Sequence, residues 1–334
     1  MENRIQILKD KMLSQPRYVS IEQALIITRT YKEHEGESAQ MKRAYALYNA
    51  LNELEIGVEP EELIVGNRTK GVRYGVVFPE SGISWVDQEL ETIDSRPQDR
   101  FQVRPEDIET FRKEILPYWK GKSLEDVLRK RAGDQIDAIS KVVKINQKDH
   151  AQGHICPNVA EWLEKGPQGL KDEALHHLET CTSDKQDFYR SIVLIMEGVQ
   201  NFMMRYHDLL LKEAAKTSQH ASTMKKVAEI CANLSRRPAR TFHEAVQSMW
   251  FLFVILHMES NASSFSPGRL DKTLYPYYKK DKEELLINDQ EALEIIECLW
   301  LKFNQIVYLR NKNSAKYFAG FSNRILTLLL AVWM

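Results

Sequence analysis

Residues 249–258 read MWFLFVILHM, and residues 259–278 follow at once with ESNASSFSPGRLDKTLYPYY. The first ten are among the most apolar in the chain, with almost no polar face left, so a helix here is covered on nearly all sides. Thr241 and Glu244 precede the run in the S/T-x-x-E form of a capping box, which predicts a helix over 242–258 opening at Thr241. Its far end then carries a carboxylate, an amide and hydroxyls from a buried element, and each buried polar group must find a partner. Two readings follow. Glu259, Asn261, Ser263 and Ser264 either satisfy the carbonyls left open at the helix end, or they form the edge of a substrate pocket. Arg269 and Asp271 fit an ion pair that holds a turn.

Outward from this stretch, the chain has 334 residues, 43% hydrophobic and 28% charged, a balance suited to a soluble globular protein. Lys and Arg number 46 against 47 Asp and Glu, with no basic block or acidic tail, so nucleic acid and anionic membrane are poor partners. Cys156, Cys181, Cys231 and Cys298 are scattered with no C-x-x-C pair, which predicts neither a disulfide framework nor a zinc site and points to a reducing, cytoplasmic setting. The opening MENRIQILKDKM is charged rather than a leader, and ILTLLLAVWM at the end has about half the length of a membrane-crossing helix.

Helical spacing dominates. Helices are expected over 3–14, 20–33, 38–54, 124–145, 186–216 and 289–310, with a short one from Glu106 that Pro117 should end. In the helix from 186, Phe188, Ile192, Ile195, Val199, Phe202, Tyr206 and Leu209 mark one buried face. In the last, Asn288 and Glu291 form a start signal, and Leu293, Ile296, Trp300, Phe303 and Val307 share a side. ELIVGN (62–67) and RYGVVFP (73–79) are short, β-branched and bounded by Gly or Pro, so they are the best strand or extended candidates of the first half. The stretch 146–158 reads as a loop or extended segment. It holds His154, whose imidazole could pass a proton near neutral pH or simply be hydrogen-bonded in place. Dinucleotide fingerprint, P-loop, zincin, nucleophile-elbow and EF-hand patterns are all missing from the sequence.

Several stretches together resemble the glycyl radical enzymes: EELIVGNRT (61–69), FPE (78–80), RPQDRF (96–101), LPYWKGKS (116–123), QGHI (152–155), MESNASSFSPGRLDKTLYPYY (258–278), CLWLKFNQI (298–306) and SAKYFAGF (314–321). The style of the 258–278 stretch is closer to the dehydratase-like branch than to pyruvate formate-lyase proper. The resemblance implies a predominantly α chain that forms the helix-rich N-terminal part of a ten-stranded α/β barrel. It also implies that the segment after the buried helix lines a cavity kept dry around a radical. By that likeness His154 stands where glycerol dehydratase bonds a substrate hydroxyl, and Ser264 matches a substrate-contacting serine. Ser263 replaces a histidine of that enzyme, which argues against glycerol. Asn261 joins the substrate-binding set, with Glu259, Arg269 and Asp271 near the pocket.

The likeness implies a radical lyase or dehydratase for a small hydroxylated or aminated compound, with formate acetyltransferase or a non-catalytic binding subunit as alternatives. A glycyl radical, installed by a radical-SAM activating enzyme, is the group that such chemistry uses. The Cys-x-Glu segment and the R-V-A-G-Y loop that carry it do not occur in this sequence, whose cysteines read CPN, CTS, CAN and CLW. The expectation is therefore a domain over 1–321, a divergent, out-of-frame tail over 322–334, and a chain inactive alone. Expected partners are a separately encoded C-terminal half, the activating enzyme and a second copy of the chain.

Overall fold

The computed structural model describes residues 4–143, 155–261 and 265–318. In chain order the elements are α1 (Arg4–Ser14), β1 (Val19–Ser20), α2 (Glu22–Glu33), α3 (Ala39–Glu53), β2 (Gly75–Val76), α4 (Ser84–Glu89), α5 (Pro105–Thr110), α6 (Leu116–Trp119), α7 (Leu124–Ala132) and α8 (Gln135–Val142). Then come α9 (Val159–Thr180), α10 (Gln186–Ala214), α11 (Ala221–Leu234), α12 (Phe242–Glu259), α13 (Leu270–Glu283), α14 (Asp289–Gln305) and α15 (Lys312–Phe318). The predominantly helical expectation is met. The anticipated tail, 322–334, lies outside the described residues.

α10 packs against α3, α9 and α11, and α12 crosses behind them against α9, α11, α13 and α14. Val199, Phe202, Tyr206, Trp250, Phe251 and Phe303 meet in the larger apolar cluster that these helices enclose. A second cluster lies under α2, around Phe101, Phe111, Ile115 and Trp119. At the edge of the second cluster, extended backbone runs in parallel: β1 pairs with β2, Tyr18 bridges to Gln102, and Gly75 bridges to Val307.

The helix starts follow their capping residues. Ser38 accepts from the Met41 amide, and Asn288 and Glu291 satisfy each other's backbone in a full capping box. At α12 only half of the expected box forms. Thr241 accepts from the Glu244 amide at 3.2 Å, while the Glu244 carboxylate turns to the Arg240 amide at 2.8 Å and to both ends of the Arg237 guanidinium. A bidentate arginine is the stronger partner, and it takes the carboxylate away from the cap.

Other expectations are corrected. Pro117 does not end its helix: α5 widens into a π-turn over Phe111–Ile115 and continues as α6, and a wide turn accommodates a residue that lacks an N–H and crowds the preceding turn. The helix over 124–145 is two, parted at Gly133, whose φ of 52° lies in the left-handed region. Phe188 (48% exposed) and Leu293 (50% exposed) lie outside the core. The covered face of α14 instead runs through Ala292, Ile295, Leu299 and Phe303.

No strand forms over 62–67, one of the two strand or extended candidates, although Ile64 and Val65 are fully buried. Side chains take the place of a strand neighbour. Gln247 accepts from the Val65 amide at 2.8 Å and donates to the Val65 carbonyl at 2.7 Å. Trp250 donates to the Gly66 carbonyl at 2.9 Å, His243 Nε2 lies 2.7 Å from the Leu63 carbonyl, and the Asn67 amide donates to the Tyr206 hydroxyl. Gly66 needs its identity: its φ is 119°, and a Cβ would lie 3.2 Å from the Trp250 indole nitrogen.

Candidate functional site

The buried helix α12 delivers its polar end to a place where three distant stretches meet. His257, fully buried, stacks near Phe253 and Phe265, with Nδ1 2.7 Å from the Phe253 carbonyl and Nε2 2.6 Å from the Tyr308 hydroxyl. Arg68, 1% exposed, donates to the His257 carbonyl at 3.2 Å and to the Val307 carbonyl. One guanidinium thereby joins the end of α12, the segment after Gly66 and the stretch after α14. The sequence reading missed this arginine, although a cation inside an apolar ELIVGNRT run is a visible signal.

Asn261 comes next and is 7% exposed. Its Nδ2 reaches the Leu309 carbonyl only at 3.5 Å, and its Oδ1 has no partner among the described residues. Asn261, Trp85, Tyr308, Arg310 and Ser314 line a small cleft open to solvent. A buried, unpaired amide oxygen facing a cleft accepts a hydrogen bond from whatever enters.

Glu259 lies on the other side of the helix end, half-exposed, in a charge pair with Arg43 of α3. Arg269 and Asp271 pair with each other at 2.6 Å on the surface at the start of α13, and the guanidinium pulls the Asp271 carboxyl down to about 2. The structure brings Glu259 and Asn261 to opposite sides of one helix end. Arg269 and Asp271 form their own exposed contact.

His154, Ser263 and Ser264 lie outside the described residues. The residues that flank them are joined, because the Ser266 amide donates to the Ile155 carbonyl at 2.8 Å. Cys156 is exposed, Cys181 half-buried, and Cys231 and Cys298 are buried, with burial pushing the Cys298 thiol up to about 12. A neutral buried thiol is a packing group. Among the described residues no helix is long and apolar enough to cross a membrane.

Comparison with known proteins gives these residues a context. The sequence profile described as "Pyruvate formate lyase-like" matches residues 1–331. The chain is 27% identical over 344 residues to the (2S)-3-sulfopropanediol dehydratase of Klebsiella oxytoca, covering 97% of this chain and 41% of that protein. It is 29% identical over 316 residues to the isethionate sulfite-lyase of Nitratidesulfovibrio vulgaris, covering 89% of this chain and 38% of the relative. Among solved structures, the glycerol-bound B12-independent glycerol dehydratase from Clostridium butyricum superposes with a TM-score of 0.90 at 33% identity, covering 95% of this chain and 41% of that one. The chain therefore spans about two fifths of the length of the relatives it matches.

Proposed function

Because the chain belongs to the pyruvate formate lyase-like family, whose matched members are glycyl radical enzymes, we propose that it supplies the N-terminal part of a radical lyase or dehydratase for a small polar substrate. The observation that carries this reading is the chemistry of the relatives. Two dehydratases and a sulfite-lyase, all named for removing a small group, match nearly the whole of this chain. Their chemistry favours elimination over formate acetyl transfer for the enzyme to which this part belongs.

In this reading the helices are the outer layer of an α/β barrel, and the end of α12 is one rim of the substrate cavity. The Asn261 Oδ1 accepts from a substrate hydroxyl or amine. His154 protonates the departing group, Ser264 holds a neighbouring oxygen, and Ser263 shapes the pocket for a ligand other than glycerol. The Arg68 and His257 contacts keep this rim rigid, as a site built on regular elements requires. The hydrogen-abstracting cysteine and the radical glycine are not supplied by these residues. Activity then depends on a polypeptide that provides the remaining three fifths of the relatives' length, and on a radical-SAM activating enzyme. A homodimer is the assembly this reading expects.

The test is an anaerobic electron paramagnetic resonance spectrum of the chain with activating enzyme, S-adenosylmethionine and reductant, with and without the polypeptide encoded downstream. A glycyl doublet that appears only with the added polypeptide is expected. No doublet in either sample would overturn the proposal.

A further inference from the structure

Four distant parts of the chain bring polar side chains to a second, small cleft open to solvent: Gln23 and Tyr31 from α2, Arg43 from α3, Glu80 from the turn after β2, and Glu259 from the end of α12. Ile27, Leu47 and Met258 form its apolar wall. Arg43 faces two carboxylates, so with both ionised the group carries one negative charge in excess. The guanidinium is committed to one side, donating through Nε to the Glu259 carboxylate at 3.1 Å and through Nη2 to the Glu259 carbonyl at 2.8 Å. It approaches Glu80 only at 4.0 Å.

Two buried acceptors are left without a donor among the described residues, Glu80 Oε2 and Gln23 Oε1. Gln23 is 1% exposed, and its amide cannot be turned round: Nε2 donates to the Met258 carbonyl at 2.8 Å, and reversal would set oxygen against oxygen. Buried acceptors without partners are rare in folded proteins, and each calls for a donor. Water supplies hydrogens and leaves the extra charge. Potassium balances the charge and donates nothing.

We infer that this cleft binds a small ammonium-type cation, ammonium itself or a short alkylammonium, whose N–H groups donate to Gln23 Oε1 and Glu80 Oε2 while its carbon rests on Ile27, Leu47 and Met258. The inference is independent of the radical reading. Burial, reinforced by Glu259 and opposed by Arg43, holds the Glu80 carboxyl above its ordinary range. A proton and the cation compete for the Glu80 carboxylate, so the bound cation favours its ionised form, and the ammonium keeps its own hydrogens. Tyr31, which also lines the cleft, is pushed by burial up to about 12 and remains a neutral phenol. Binding accordingly tightens as pH rises.

The experiment is calorimetric titration of the full chain with methylammonium chloride, potassium chloride and methanol, at about pH 6 and about pH 8, in buffers of different ionisation heat. Saturable methylammonium binding is expected, about tenfold tighter than methanol or potassium, with higher affinity at the higher pH. Glu80→Gln is expected to weaken it by about tenfold and Gln23→Leu by about fivefold, with helical circular dichroism retained. Methanol or potassium binding as tightly as methylammonium would overturn the assignment, as would no methylammonium binding at all. Those comparisons use the native chain, so the result stands even if a variant fails to fold.

Discussion

The stretches 62–67 and 73–77 look alike in sequence and are held in different ways. Around 73–77 the backbone is paired with backbone: Gly75 donates to Tyr18, Val77 to Ser20, and Arg73 to Gln305. Around 62–67 the same peptide groups are satisfied by the imidazole, amide and indole of His243, Gln247 and Trp250. These three sit at i, i+4 and i+7 of α12, one stripe on a helix with little other polar surface. A strand ladder is indifferent to its side chains, whereas a side-chain clamp fails when one residue changes. Substitutions on α12 should therefore damage the first segment more than substitutions within the second damage its ladder.

The largest effect is expected where the clamped segment also carries a charge. Lys302 of α14 donates to Glu62 at 2.8 Å, and both side chains are only 5% exposed. Lys302→Met leaves the Glu62 carboxylate buried without its cation, at a cost of about 4 kcal/mol. Replacing both partners with apolar residues should recover most of the loss, and equilibrium urea unfolding of the two variants checks it. A single variant as stable as the native chain would show that the segment is not pinned through this pair.

Next comes acid. Burial lowers the His243 pKa from 6.5 to about 4, against the pull of the Leu63 carbonyl, so the folded state holds a neutral imidazole. Between those values the unfolded chain binds the extra proton. Stability from this group is complete above pH 6.5 and falls by about 3 kcal/mol as pH drops through 4. Glu80 runs the opposite way, because a raised carboxyl pKa favours folding at low pH and loses that contribution as pH rises. The difference between the native chain and His243→Gln isolates the histidine. Parallel pH–stability curves for the two would remove it from the clamp.

Gln247→Leu keeps the volume and deletes both bonds to Val65. Two buried peptide groups then lose their partners, for about 3 kcal/mol in the same unfolding experiment. This residue also shows where sequence reading stops. Helix α12 was legible from its apolar run and Thr241, and α2, α3, α10 and α14 from their spacing, because a periodic face and a cap are local signals. What His243, Gln247 and Trp250 hold lies some 180 residues away, with no local trace. Helices α9 and α13 have no counterpart in the sequence reading. Each contains a proline, Pro167 at a kink after Gly166 and Pro276 within YPYY, and an internal proline is ordinarily a breaker. The candidate site divides in the same way. Its polar helix end could be read, but the pairing of Glu259 with Arg43, 216 residues apart, and the Arg68 joint depend on the tertiary fold.

Val77→Ala tests the other side of the comparison and should have the smallest effect. Val77 is 1% exposed and packs in the cluster beneath α2, so losing two methyl groups costs about 2 kcal/mol through burial and the cavity left behind. Its amide still donates to the Ser20 carbonyl at 3.1 Å, since that bond does not involve the side chain. Amide hydrogen exchange separates the two terms. In Val77→Ala the Val77 amide should lose only the protection that follows from lower global stability. In Gln247→Leu the Val65 amide should lose more than that, because its acceptor is gone. If both amides tracked global stability alone, the two segments would be held by packing, and the contrast between clamp and ladder would fail.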